Sequence, residues 1–262
     1  MFRVEGAMLN VADSGGAGLP FVFQHGLGGD AGQTAEVFPP GSGRRLITLE
    51  CRGHGQSAPG AETAFSLAQF RDDLGSFIAS TLPGPVDLGG ISMGAAIALM
   101  LAVRKPQLVK SLVIARPAWL LGIAPANMQP NAVVGDLLGR HDPTTALDAF
   151  NRTATALDLE RSSPDNLASL RGFFARPNPK VLGMLLSRIA ADGPRLTAAD
   201  LRRLTIPALV IGTDDDHVHP FAYAEALAAM LPRASLIKIT SKSASRESYV
   251  REFRAALEGF LA

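Results

Sequence analysis

The chain has 262 residues, 47% of them hydrophobic, which supplies a sizeable core and excludes a disordered protein. That length suits one large α/β domain with an inserted lobe. With 25 basic against 24 acidic residues the formal net charge is +1, so no nucleic-acid partner is expected.

Along the first ~115 residues, short apolar strands alternate with helical patterns, as in a parallel sheet with helices on both faces. Strands are expected at 8–11, 20–24, 45–50, 86–89 and 108–114. The lone cysteine, Cys51, follows the third of these as a strand-end residue and cannot make an internal disulfide, which suits a reducing, cytoplasmic setting. Behind Ser66, a candidate N-cap, Leu67, Phe70, Leu74, Phe77 and Ile78 recur at helical spacing. Gln69, Arg71, Asp72 and Asp73 are expected on the outer face of that helix. From residue 118 to 200 the pattern is helical and punctuated by prolines. Strand rhythm returns at 207–212, followed by a helix over 221–231 and a strand over 235–239. The buried face of a final helix is marked by Val250, Phe253, Leu257, Phe260 and Leu261. The first residues lack the apolar stretch of a signal peptide, and no 18-residue apolar run is free of charge, so no membrane association is expected.

The chemistry concentrates in Gly90-Ile91-Ser92-Met93-Gly94, a G-x-S-x-G placed after an apolar strand and before an alanine-rich helix. A serine on such a tight turn is forced into a strained backbone conformation that presents its hydroxyl beyond the sheet. The flanking glycines allow close approach of strand and helix. The Met93 N–H, at a helix N-terminus, is available to a developing oxyanion. Upstream, the strand ending at Gln24 runs into His25-Gly26-Leu27-Gly28-Gly29-Asp30, and a later strand runs into Arg52-Gly53-His54-Gly55-Gln56-Ser57. Together these segments resemble the α/β-hydrolase fold family. The resemblance implies a doubly wound, mostly parallel sheet with Ser92 as nucleophile on its elbow and Leu27 N–H as the second oxyanion donor. It also implies a hydrolase core in 1–117 and 201–262 and a helical cap over the active site in 118–200. Trp119, Leu120, Leu121, Phe173, Phe174, Met184, Leu185 and Leu186 would chiefly pack that cap on the core. His25 and His54 are expected to pin their own loops.

After the strand at 207–212 comes Thr213-Asp214-Asp215-Asp216-His217-Val218-His219-Pro220. The family places its carboxylate about four residues before a proline on this loop, which selects Asp216, with Asp215 as the alternative. The family's histidine would follow the last strand, but the segment there reads Thr240-Ser241-Lys242-Ser243, and all five histidines lie at or before His219. Lys242 falls near the vacant position. It is expected to act as base, at a cost of some 3–5 kcal/mol of desolvation, or to pair with Asp216 as a salt bridge. Tyr249 is expected to pack half-buried. His217 and His219 adjoin the acid, so the loop could in principle turn one of them towards Ser92, but with Pro220 and a helix following they are expected to face solvent or cap that helix.

The function expected is therefore a serine-nucleophile hydrolase of a small apolar ester, lactone, thioester or similar acyl substrate, with an atypical triad of Ser92, Asp216 and Lys242. The alternative is a non-hydrolytic enzyme or a weakly active ligand-binding homologue on the same fold. No metal or cofactor is expected, because the chain has no phosphate loop and no metal-ligand histidine spacing.

Overall fold

Alternation at every second residue decides which face of the sheet each strand residue supplies. In the computed structural model, which describes residues 1–262, Phe21 and Phe23 join one buried cluster while Val22 between them joins the other. Leu209 and Ile211 likewise oppose Ala208 and Val210. The strands are β1 Phe2–Val4, β2 Ala7–Leu9, β3 Val11–Asp13, β4 Leu19–Gln24, β5 Arg44–Leu49, β6 Val86–Ile91, β7 Val109–Ala115, β8 Ala208–Gly212 and β9 Ala234–Lys238. β1 and β2 form a separate hairpin. The other seven make one sheet in the order β3-β5-β4-β6-β7-β8-β9, parallel except for β3 against β5. β6 lies at its centre with every residue buried, and carries Ser92 at its end.

The helices are α1 Ala31–Val37, α2 Leu67–Thr81, α3 Met93–Arg104, α4 Gln129–Arg140, α5 Pro143–Phe150, α6 Ala154–Ser162, α7 Pro164–Phe173, α8 Pro179–Ala190, α9 Ala198–Arg202, α10 Phe221–Met230 and α11 Arg246–Leu261. α2 and α3 cover one face of the sheet, and α11 packs on the other. Ser66 caps α2 as expected, its Oγ accepting the Gln69 N–H at 3.1 Å. Between β7 and β8 the chain is helical and builds a small core of its own from Val134, Leu138, Phe150, Leu159, Leu170 and Leu186. Pro130, Pro143, Pro164 and Pro179 fall in the first turns of α4, α5, α7 and α8, where the missing N–H costs no helical bond.

Two local expectations change. The strand over 8–11 is interrupted at Asn10, whose N–H goes to Ser57 Oγ at 2.8 Å and whose amide goes to Glu50 Oε2 at 3.0 Å. Asp73 does not lie on the outer face of α2. It is buried and accepts Arg52 Nε and Nη2 at 2.6 and 3.0 Å, a two-pronged ion pair that ties α2 to the loop after β5.

Candidate active site

Ser92 sits between β6 and α3 with φ 57° and ψ −112°, in the left-handed half of backbone space that a side chain rarely adopts. The glycines make this turn possible. A Cβ on Gly90 would lie 2.3 Å from the Gly94 carbonyl carbon, and one on Gly94 would lie 2.3 Å from the Gln24 carbonyl oxygen. The Ser92 N–H donates to Ala115 O at 2.9 Å, which anchors the elbow to the end of β7.

The partner of the Ser92 hydroxyl is His219. Its Nε2 lies 2.8 Å from Ser92 Oγ, and its Nδ1 lies 2.8 Å from Asp216 Oδ1. Both residues come from the eight-residue loop between β8 and α10. Asp215, at φ 53°, redirects the chain there, and the His219 N–H donates back to Asp216 Oδ1 at 3.1 Å. This turn brings the imidazole under its own carboxylate and over the serine. The expectation that His219 faces solvent or caps α10 is therefore corrected, while His217 is exposed.

Lys242 is likewise corrected as the partner of Ser92 or Asp216. Its ammonium packs over the Tyr249 ring, 4.9 Å from the centroid, and the cation on Asp216 is Arg116. Arg116 donates from Nε at 2.9 Å and Nη2 at 2.6 Å to Asp216 Oδ2, and Asn166 Nδ2 donates to Oδ1 at 3.0 Å. Arg116 follows β7 at φ 45° and lies 5.7 Å from the centroid of Tyr249, which is fully buried and not half-buried. Of the neighbouring carboxylates, Asp214 pairs with Lys238 at the surface and Asp215 is exposed, so only Asp216 points inward.

Charge fixes the protonation of this set. Burial alone would raise the Asp216 pKa, but the His219 and Arg116 sides hold its carboxyl far below the usual range, so it is ionised. An ionised Asp216 accepts from Nδ1–H, which leaves Nε2 to accept the Ser92 proton. Burial pushes the His219 pKa below its ordinary value. Asp216 opposes this, and Arg116, with Nη2 only 3.3 Å from Nδ1, reinforces it. The imidazole is neutral and basic on the side facing Ser92.

Met93 opens α3, so its N–H is a first-turn donor with no acceptor inside the helix. Leu27 N–H donates to no backbone carbonyl. Its loop is fixed by Gln33, whose Oε1 accepts the Gly26 N–H at 2.6 Å, and by Glu50, whose Oε1 accepts the Ala31 N–H at 3.0 Å. His25 joins Gly26 O to the Cys51 N–H through its two ring nitrogens, at 2.8 and 3.0 Å. His54 Nδ1 binds Arg52 O at 3.0 Å, and burial drives its pKa down to about 3. Both are neutral, loop-pinning imidazoles.

A cavity of about 120 Å³ opens at Ser92 and His219, walled by Leu27, Met128, Leu170, Phe173, Val218 and Lys242 among others. Met128, Leu170 and Phe173 come from the helical insertion. Two more insertion residues hold the loop of His219: Asn127 Nδ2 donates to Val218 O at 2.6 Å, and Asn166 Oδ1 accepts the Val218 N–H at 2.8 Å.

The fold agrees with the comparisons: residues 20–241 match the model of the alpha/beta hydrolase fold family, and the chain belongs to that family. Among its relatives are Lipase 1 of Psychrobacter immobilis, 25% identical over 84% of this chain and 69% of that protein, and the pimeloyl-[acyl-carrier protein] methyl ester esterase of Nitrosomonas europaea, 27% identical over 85% and 87%. A putative non-heme bromoperoxidase, BpoC, of Mycobacterium tuberculosis is 31% identical over 88% and 89%. Its crystal structure superposes with a TM-score of 0.70 at 26% identity, covering 97% of this chain and 95% of that one. Against some longer relatives the chain spans as little as 30% of their length.

Proposed function

We propose that the protein is a serine hydrolase of a small carboxylic ester, thioester or lactone, using Ser92, His219 and Asp216. The observation that carries this reading is the 2.8 Å contact between Ser92 Oγ and His219 Nε2, with His219 backed by an ionised Asp216. Ser92 Oγ attacks the acyl carbon while His219 Nε2 takes its proton. The carbonyl oxygen becomes an oxyanion held by the Leu27 and Met93 N–H groups. As the tetrahedral species collapses, the acyl–oxygen or acyl–sulfur bond breaks and the imidazolium returns the proton to the leaving group. Water, deprotonated by the same imidazole, then releases the acid and restores Ser92. Asp216 orients the ring and stabilises its transient cation. The helical segment 118–200 serves as a cap, supplying part of the pocket wall and the two asparagines that hold the loop of His219.

The relatives named as a lipase and an esterase support acyl hydrolysis, whereas the name of the putative non-heme bromoperoxidase speaks for the non-hydrolytic alternative. A neutral base on the serine favours turnover over binding alone. Hydrolysis of p-nitrophenyl butyrate tests the reading. Ser92→Ala should fall to background and His219→Ala should lose about 10²–10⁴-fold in kcat. Full activity in Ser92→Ala would refute it.

A further inference from the structure

Lys242 lines the same cavity as Ser92 and His219, yet its ammonium has no carboxylate partner and no hydrogen bond within the protein. The other cation beside the site, Arg116, is already committed to Asp216 at 2.6 Å. Asp165 also borders the cavity but makes no ion pair with Lys242. Tyr249 fixes the lysine from beneath, with its ring 4.9 Å from Nζ, so the charge is presented at a defined place and not left to wander in solvent. Burial first, then the Arg116 cation, disfavours its charged form. The Glu36 and Asp165 carboxylates oppose this, but Glu36 is paired with Arg246 and neither forms an ion pair with Lys242. An ammonium half-removed from water next to a second cation is costly unless an anion meets it.

From these observations the geometry points to an anion subsite: the acyl substrate cleaved at Ser92 carries a free carboxylate, which pairs with Lys242. This rests on the hydrolase reading above and specifies its substrate class. The cavity of about 120 Å³ is small beside ligand pockets of about 300–1,000 Å³, so the acyl group is short. A compact ammonium with one unit of charge matches a monoanionic carboxylate, whereas phosphate is met more often by forked guanidinium groups. A wholly apolar acyl group, the expectation from the sequence, would leave the lysine unpaired in the closed complex.

The test compares mono-p-nitrophenyl glutarate with p-nitrophenyl valerate, two activated esters of equal chain length that differ in the terminal carboxylate. The wild type should prefer the anionic ester by about tenfold or more in kcat/KM, mainly through KM. In Lys242→Met, which keeps the aliphatic stem over Tyr249, that ratio should collapse towards one, and Lys242→Glu should invert it. Hydrolysis of both esters at equal kcat/KM by the wild type, or an unchanged ratio in Lys242→Met, overturns the subsite and leaves the hydrolase reading standing. Calorimetric binding of glutarate separates the opposite case. If neither ester is cleaved but glutarate binds the wild type and not Lys242→Met, the subsite stands and hydrolysis fails. Absence of glutarate binding together with absence of cleavage overturns both.

Discussion

His219 reaches Ser92 because Asp216 sits three residues before it and takes its backbone N–H as well as its ring. In the proposed triad, the base and its orienting acid are thus one short turn. Arg116 and burial together keep the imidazole reluctant to charge, and this sets the pH dependence. His219 must be neutral to accept the serine proton. With its pKa held below the ordinary value of about 6.5, activity should stay level as pH falls past that point and decline only further down. Removing the cation in Arg116→Met should move the acid limb of kcat/KM upward, measured from pH 4.5 to 8. A limb that stays in place would show that Arg116 does not tune the base. Ser92 was legible in the sequence because strand, G-x-S-x-G and helix all leave local marks. The inward placement of Asp216 was legible from its spacing to Pro220. His219 was not, since reading it as a base requires knowing that Asp215 turns the chain at φ 53°. The available signal was a histidine three residues after a loop aspartate, with no histidine further on. Lys242, near the position where the family carries its histidine, does border the cavity but does not reach the serine.

At the level of elements, α7 does more than wall the cavity. Its Asn166 bridges Asp216 Oδ1 at 3.0 Å and the Val218 N–H at 2.8 Å, so an insertion helix holds the loop that carries the base. Asn166→Ala removes both bonds and leaves the elbow untouched. It should lower kcat by about ten- to a hundredfold through misplacement of His219, with the melting temperature changed much less than by a core truncation. A kcat equal to wild type would mean that Arg116 and the backbone turn suffice to hold the loop. The elements themselves were read from sequence to within a few residues wherever the apolar periodicity was strong, as in α2, β6 and α11. The misses were polar. Asn10 breaks a strand because Ser57 and Glu50 take its hydrogen bonds, and Asp73 is buried because Arg52 meets it. Partners this distant along the chain leave no periodic trace.

Across the whole molecule, the seven-stranded sheet brings together groups from β4, β6, β7 and β8 at one end, which is where such sheets place their ligands. Three histidines, the buried His25 and His54 and the part-buried His219, all have depressed pKa values in the folded state. Unfolded, each would titrate near 6.5, so below that pH the unfolded chain binds protons that the native state refuses. Stability should therefore be fully present above about pH 7 and fall as pH drops, by up to about 1.4 kcal/mol per pH unit for each histidine. Urea unfolding at pH 7.5 and 5.5 checks this, and equal midpoints would contradict it. The central claim is that His219 activates Ser92, and labelling by a fluorophosphonate followed by intact-mass analysis tests it most directly. One adduct on Ser92 is expected in the wild type, none in Ser92→Ala, and a labelling rate lower by about 10² or more in His219→Ala. Labelling of His219→Ala at the wild-type rate, or an adduct on any residue other than Ser92, would contradict the account.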